Sequence, residues 1–185
     1  MALPPLYTAC QEGHITVVKY LLEFGADINK ESKNGITILL GACWSENLNL
    51  IKYLIELGLD INKVDKCGCT SLYNACQEGH IHIVKYLVEQ GANINRLFKY
   101  GNTLLFEACK SGNKELVKYL VEYGLDINKE NNIGVTPLFN ACKNGYEDIV
   151  KYLVELGADI NKEDKYGYTP LFNHYLMLVK KDMSI

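Results

Sequence analysis

Residues 136–168 read TPLFNACKNGYEDIVKYLVELGADINKEDKYGY, and local rules divide this stretch into three pieces. Thr136 suits a helix N-cap, and Pro137 suits the first helical position, where no N–H is needed. Leu138, Ala141 and Cys142 then fall at helical spacing, and Gly145 is fitted to the left-handed turn that stops a helix. Ile149, Val150, Leu153 and Val154 form the apolar stripe of a second helix, which Gly157 ends. The remainder, from Ala158-Asp159-Ile160-Asn161 to Gly167, is polar, carries turn chemistry and leads to Thr169. The stretch predicts two short antiparallel helices and a hairpin-like loop. Neither helix can bury both faces within such a unit, so units must stack.

The same unit recurs along the chain. Thr37, Thr70, Thr103, Thr136 and Thr169 stand 33 residues apart, as do Tyr20, Tyr53, Tyr86, Tyr119 and Tyr152. Asn29, Asn62, Asn95, Asn128 and Asn161 keep the same interval, and so do Cys10, Cys43, Cys76, Cys109 and Cys142. Five of the seven cysteines thus hold one packed niche in successive units. Free thiols of this kind behave as small buried hydrophobes and persist in a reducing compartment, which predicts an intracellular, cytoplasmic protein. Hydrophobic residues make up 48% and charged residues 22% of the 185 residues, with a net charge of −3. That composition is globular and announces neither a membrane nor a nucleic acid. No run approaches the roughly 18 apolar residues of a spanning helix, and Met1-Ala2-Leu3-Pro4-Pro5 lacks the regions of a secretory signal.

The pattern G-x-T-P-L-x-x-A-x-x-x-G…V-x-x-L-x-x-x-G-A-D-I-N resembles the ankyrin repeat and covers nearly the whole chain. The resemblance implies one all-α domain over 1–185, an ankyrin-repeat solenoid of stacked helix-turn-helix units joined by β-hairpin-like loops. Its repeats run 4–36, 37–69, 70–102, 103–135 and 136–168, with a partial C-terminal capping repeat at 169–185. There are departures. The family's histidine after T-P-L is replaced by Tyr7, Leu40, Tyr73, Phe106, Phe139 and Phe172, so aromatic packing is expected in place of its hydrogen bonds. In the second repeat Glu46 stands where Gly13, Gly79, Gly112 and Gly145 stand elsewhere, which implies strain or a reshaped turn.

No enzyme constellation remains once the repeat is accounted for. His14 and His80 read as entries to second helices, His82 as a surface residue and His174 as part of the terminal helix. Cys67 and Cys69 flank Gly68 in a loop, but no further pair of ligands accompanies them, so no metal and no cofactor is expected. Lys19/Glu23, Lys52/Glu56, Lys85/Glu89, Lys118/Glu122 and Lys151/Glu155 predict i,i+4 support on the solvated face of the second helices. The tyrosine series from Tyr20 to Tyr152 reads as outer-face packing.

Positions that vary between repeats are free to carry specificity, and the resemblance places them on hairpin tips and first helices, along a concave face. Trp44, the only tryptophan, takes a position held by Gln or Lys elsewhere and is expected to be more than half exposed. The third loop reads Arg96-Leu97-Phe98-Lys99-Tyr100 where its siblings are polar, and aromatic side chains make interface anchors. The candidate partner-binding residues are therefore Trp44, Lys66, Cys67, Cys69, Phe98, Lys99, Tyr100, Asn102, Lys110, Ile133, Tyr166 and Tyr168. The loops also hold Lys30, Lys33, Lys63, Lys129, Lys162 and Lys165, an excess of about four positive charges over the loop acids, suited to an acidic segment of a protein partner.

Two other readings stay open. The basic row could follow a phosphate backbone, although its charge is modest for that. The L-x(5)-D-x-N pattern ending in Asn29, Asn62 or Asn128 resembles the ankyrin motif used by asparaginyl hydroxylases. Last, the apolar run Tyr175 to Val179 predicts weak self-association through the C-terminal helix.

Overall fold

A computed structural model describes residues 5–172, which leaves the apolar run at 175–179, and His174, outside the described residues. Ten α-helices are present there, with no strand. They come in pairs: α1 (Pro5–Gln11) with α2 (Ile15–Glu23), α3 (Ile38–Ala42) with α4 (Leu48–Glu56), and α5 (Ser71–Glu78) with α6 (Ile81–Glu89). After a 3-10 turn at Lys99–Gly101 follow α7 (Leu104–Ser111) with α8 (Lys114–Glu122) and α9 (Pro137–Asn144) with α10 (Glu147–Glu155). Residues 170–172 begin a further helical turn. The chain forms two compact lobes, residues 1–94 and 95–185.

Within each lobe the pairs stack as their apolar faces require. In the first, α1 packs on α3 and α3 on α5; in the second, α7 packs on α9 and α8 on α10. The core side chains are those of the repeat: Leu39, Leu50, Ile51 and Leu54 in one lobe and Leu105, Leu116, Val117 and Leu120 in the other are fully buried. Each contributes about 1.5–3 kcal/mol through burial. Of the histidine substitutes, Tyr7, Leu40, Phe106 and Phe139 are buried and Tyr73 is half-buried, whereas Phe172 is exposed and stacks on Tyr168 with ring centres 5.1 Å apart. Polar pegs reach from repeat to repeat: Asn74 Nδ2 donates to the Leu40 carbonyl at 3.1 Å, and Asn140 Nδ2 to the Phe106 carbonyl at 3.1 Å.

Three local expectations need correction. Thr37 and Thr70 cap their helices through the side chain, accepting from Leu40 and Tyr73 N–H at 3.2 Å. Thr103 and Thr136 occupy the cap position without that hydrogen bond. At Lys118 and Lys151 the ion pair forms with the preceding acid and not with the following glutamate. Lys118 pairs with Glu115 at 2.8 Å and Lys151 with Glu147 at 3.8 Å, both acids preceding the lysine, the better orientation along a helix. Lys19 and Lys52 instead lie over the rings of Tyr53 and Tyr86 in the following repeat, 4.8 and 5.5 Å from the ring centres. That cation–π cover gives Tyr53 and Tyr86 a structural role.

The third correction concerns Trp44. Gly145 stops α9 in the left-handed region at φ 72°, and without a glycine at 46 the second repeat takes another course. Helix α3 ends early at Ala42, and Ser45 Oγ closes the turn on the Ala42 carbonyl at 2.8 Å. Asn47 Nδ2 then ties the turn to the Gly13 carbonyl at 2.7 Å. This draws Trp44 inward until it is only half-buried rather than free in solvent. Its ring sits edge-on to Tyr7 at 6.4 Å, and its carbonyl lies 3.3 Å from His80 Nε2.

The repeat cysteines are all buried, Cys67 is exposed and Cys69 half-buried. Burial pushes the Cys10 and Cys43 thiols from an ordinary 9.0 up to about 12. It raises Cys109 and Cys142 too, and it lifts the Tyr7 hydroxyl to about 12 with help from the Asp65 charge. These groups hold their protons longer when folded than when unfolded. Their contribution to stability is full below about pH 9 and is lost as pH climbs toward about 12. Urea midpoints should therefore be level on the neutral side of that window and fall steadily through it; a level profile across the window would contradict the burial. With a maleimide, Cys67 and Cys69 should react promptly and the other five only on unfolding; uniform fast reaction would contradict the packing. Asn74→Ala should cost about 1–3 kcal/mol, since it leaves a buried carbonyl unmet; an unchanged melting temperature would remove the peg from the account.

Candidate partner-binding loops

Each inter-repeat loop closes between residues four apart. Ser32 N–H donates to the Ile36 carbonyl at 3.0 Å, Asp65 to Cys69 at 3.0 Å, Phe98 to Asn102 at 2.9 Å, Asn131 to Val135 at 2.9 Å and Asp164 to Tyr168 at 2.9 Å. In four of the five, the first residue also supplies a side-chain acceptor for two tip amides, the usual way short polar side chains organise turns. Asp65 Oδ1 accepts from Cys67 and Cys69 at 2.8 and 2.9 Å. Asn131 Oδ1 serves Ile133 and Val135 at 3.0 and 3.1 Å, and Asp164 Oδ1 serves Tyr166 and Tyr168 at 2.9 Å each. Ser32 Oγ does the same for Asn34 and Ile36.

The third loop lacks this acceptor, because Phe98 stands at its position. Phe98 is 7% exposed, so it is not the surface anchor that the sequence suggested: its ring turns inward, and the neighbouring Leu97 is the apolar residue left in solvent. The tip changes as well. Tyr100 adopts φ 65°, ψ 15°, the one non-glycine residue with positive φ among the described residues. A left-handed tyrosine costs about 1–2 kcal/mol. Its ring is 58% exposed, with the Lys99 ammonium 4.8 Å from the ring centre.

Loop tips within a lobe are joined by backbone hydrogen bonds. Lys66 N–H donates to the Asn34 carbonyl at 2.9 Å; in the second lobe Asn132 donates to Tyr100 at 2.7 Å and Lys165 to Ile133 at 2.9 Å. Tyr100, Ile133 and Tyr166 thereby form an in-phase row, with Tyr166 71% exposed and Tyr168 beside it in solvent. Asn102 is half-buried and spends its Oδ1 on Asn131 Nδ2 at 2.8 Å, so it links loops rather than standing free. Lys66 and Cys67 are exposed at the tip of the second loop. Lys110 is exposed on α7, 3.7 Å from the buried Glu107 carboxylate. Glu107 escaped sequence reasoning; the signal was an acid at the position of Asn74 and Asn140. The basic character of the loops is partly neutralised, since Lys63 pairs with Glu31 and Lys162 with Glu130 at 2.8 Å.

Asn62 and Asn128 lie in exposed segments but have both ends of their amides engaged. Asn62 donates to the Gly91 carbonyl and accepts from Asn93 N–H; Asn128 does the same with Gly157 and Asp159. Among the described residues no group of three or more His, Cys, Asp or Glu side chains is placed to hold a metal ion, and no helix is long and apolar enough to cross a membrane.

Comparison with known proteins agrees with this geometry. The chain matches the profile described as ankyrin repeats (3 copies) over residues 2–65 and 57–131, and that of ankyrin repeats (many copies) over 120–171. It is similar to the crystal structure of the human ASB11 ankyrin repeat domain, with 29% identity and a TM-score of 0.80 over 99% of this chain and 85% of that one. No curated protein sequence matches it at a significant level. Repeats of this kind are in general protein-interaction modules. The chain, by its helix pairs, its loops and its profile matches, belongs to the ankyrin repeat family.

Proposed function

We propose that the chain is a non-enzymatic, intracellular protein-interaction module whose second lobe grips its partner along Tyr100, Ile133, Tyr166 and Tyr168. The conformation of Tyr100 carries this reading. A glycine at that position would relieve the left-handed strain, yet a tyrosine stands there with its ring in solvent. Strain retained beside an exposed aromatic side chain is what a recognition site looks like, and not what packing requires. Lys99, Lys129 and Lys165 flank the row and favour an acidic partner segment bearing apolar side chains. In the first lobe, Lys66 with Cys67 and Cys69 forms a separate candidate tip. Trp44 and Phe98 act as supports beneath these surfaces, and Asn102 as a tie between loops.

Nucleic acid is the weaker alternative, because two of the loop lysines are already paired with glutamates. The hydroxylase reading is weaker too, since the amides of Asn62 and Asn128 join adjacent repeats.

Tyr100→Gly separates stability from function. It should raise unfolding free energy by about 1 kcal/mol through relief of strain, while partner capture from native extract falls about tenfold or more. Tyr166→Ala should lower capture with little change in melting temperature. Undiminished capture by both variants would move the site elsewhere, and a steep loss of binding with added salt would favour nucleic acid.

A further inference from the structure

Two thiols stand apart from the other five. Cys10, Cys43, Cys76, Cys109 and Cys142 are buried, whereas Cys67 is exposed and Cys69 half-buried at the tip of the second loop. One residue, Gly68, separates them. The chain reverses there. Asp65 N–H donates to the Cys69 carbonyl at 3.0 Å, Gly68 N–H donates to the Asp65 carbonyl at 3.0 Å, and Gly68 takes φ 80°. A β-carbon built on Gly68 would meet nothing within 4 Å, so the space over the tip is open.

The Asp65 carboxylate sets the spacing of the pair. Its Oδ1 accepts from Cys67 N–H at 2.8 Å and from Cys69 N–H at 2.9 Å. Two nitrogens on one oxygen are less than about 6 Å apart, where an extended chain would hold them about 7 Å apart. Such a compact turn suits a disulfide, whose α-carbons stand about 4.4–6.8 Å apart. The tip is also tied to the preceding loop, since Lys66 N–H donates to the Asn34 carbonyl at 2.9 Å. With the turn already formed, closing a ring across it orders little further chain. The same frame carries Asn34 and Ile36, Ile133 and Val135, or Tyr166 and Tyr168 in sibling loops. In the second loop it carries two thiols.

We propose that Cys67 and Cys69 form a reversible disulfide site, closed by low-molecular-weight disulfides of the glutathione class and reopened by their thiols. The more exposed Cys67, as thiolate, attacks one sulfur of the small disulfide. A bond from Cys67 to glutathione forms, the S–S bond of the small disulfide breaks, and one glutathione thiolate leaves. The Cys69 thiolate then attacks the Cys67 sulfur and expels the second glutathione thiolate. The two protons given up by the cysteines end on the two released thiolates, and two electrons from the protein reduce the small disulfide. A ring closed across a single glycine is strained and exposed, the kind of disulfide that thiols readily reduce. The five buried cysteines take no part, because attack needs an accessible thiolate. This chemistry belongs to the tip itself and does not depend on whether the tip meets a partner.

Oxidised glutathione added to the full native chain tests this, with remaining thiols trapped by N-ethylmaleimide in denaturant and the protein and its peptides weighed. The native chain should lose two hydrogens, keep no glutathione and yield a peptide in which Cys67 is bonded to Cys69. Excess reduced glutathione should restore both thiols. Cys69→Ser should stop one step earlier, with one glutathione held on Cys67, and the double variant Cys67→Ser/Cys69→Ser should gain nothing. Asp65→Ala, which releases both amides, should close the ring about fivefold more slowly or worse. Asp65→Asn keeps an Oδ1 acceptor, as Asn131 does in the fourth loop, and should close it at near the native rate. Circular dichroism confirms that each variant is folded. A native chain that stays reduced or retains glutathione, a bond from either cysteine to any other thiol, or an Asp65→Ala chain that closes as fast as the native one would each overturn the proposal.

Discussion

A helix pair of this length cannot enclose its own apolar side chains, and every other feature of the chain follows from having to share them with a neighbour. Leu39, Leu50, Ile51 and Leu54 are fully buried only because adjacent pairs press together within the lobe. Stacking brings backbone as well as side chains into register. That is why Asn74 and Asn140 find a carbonyl 34 residues back, and why Lys19 and Lys52 find a tyrosine 34 residues ahead. Stability in such a design is a sum of weak units and strong junctions.

The loops inherit this register. With their bases fixed by the helices, tip amides of one loop reach tip carbonyls of the next, and exposed side chains fall into a row held on a rigid support. Four loops spend a polar side chain on organising the tip. The third spends an apolar one on the core and leaves Tyr100 in a left-handed conformation.

Helices, their order and the buried cysteines were legible because periodic positions report their environment several times over. Thr136 could be placed from one repeat and checked against four others, and Gly145 against three. What the sequence hid were single departures, whose outcome depends on neighbours beyond the local rules. Phe98 in a polar loop reads as exposed by context, yet the loop geometry supplies it with a buried seat. Trp44 reads as free because its siblings are Gln and Lys, but the missing glycine two residues on bends the turn and lays the indole against Tyr7. The Lys–Glu spacing on the second helices looked like ion pairing, and the tyrosine of the adjoining repeat proved the better partner for Lys19 and Lys52.

If stacking is the governing constraint, damage to one repeat must weaken its neighbour. Hydrogen exchange on the full chain carrying Leu138→Ala, a core truncation in α9 worth about 2–5 kcal/mol, reads this residue by residue. Exchange should be faster not only in α9 and α10 but also in α7 and α8, whose sequence is untouched. Acceleration confined to residues 136–168, with α7 and α8 protected as before, would contradict it.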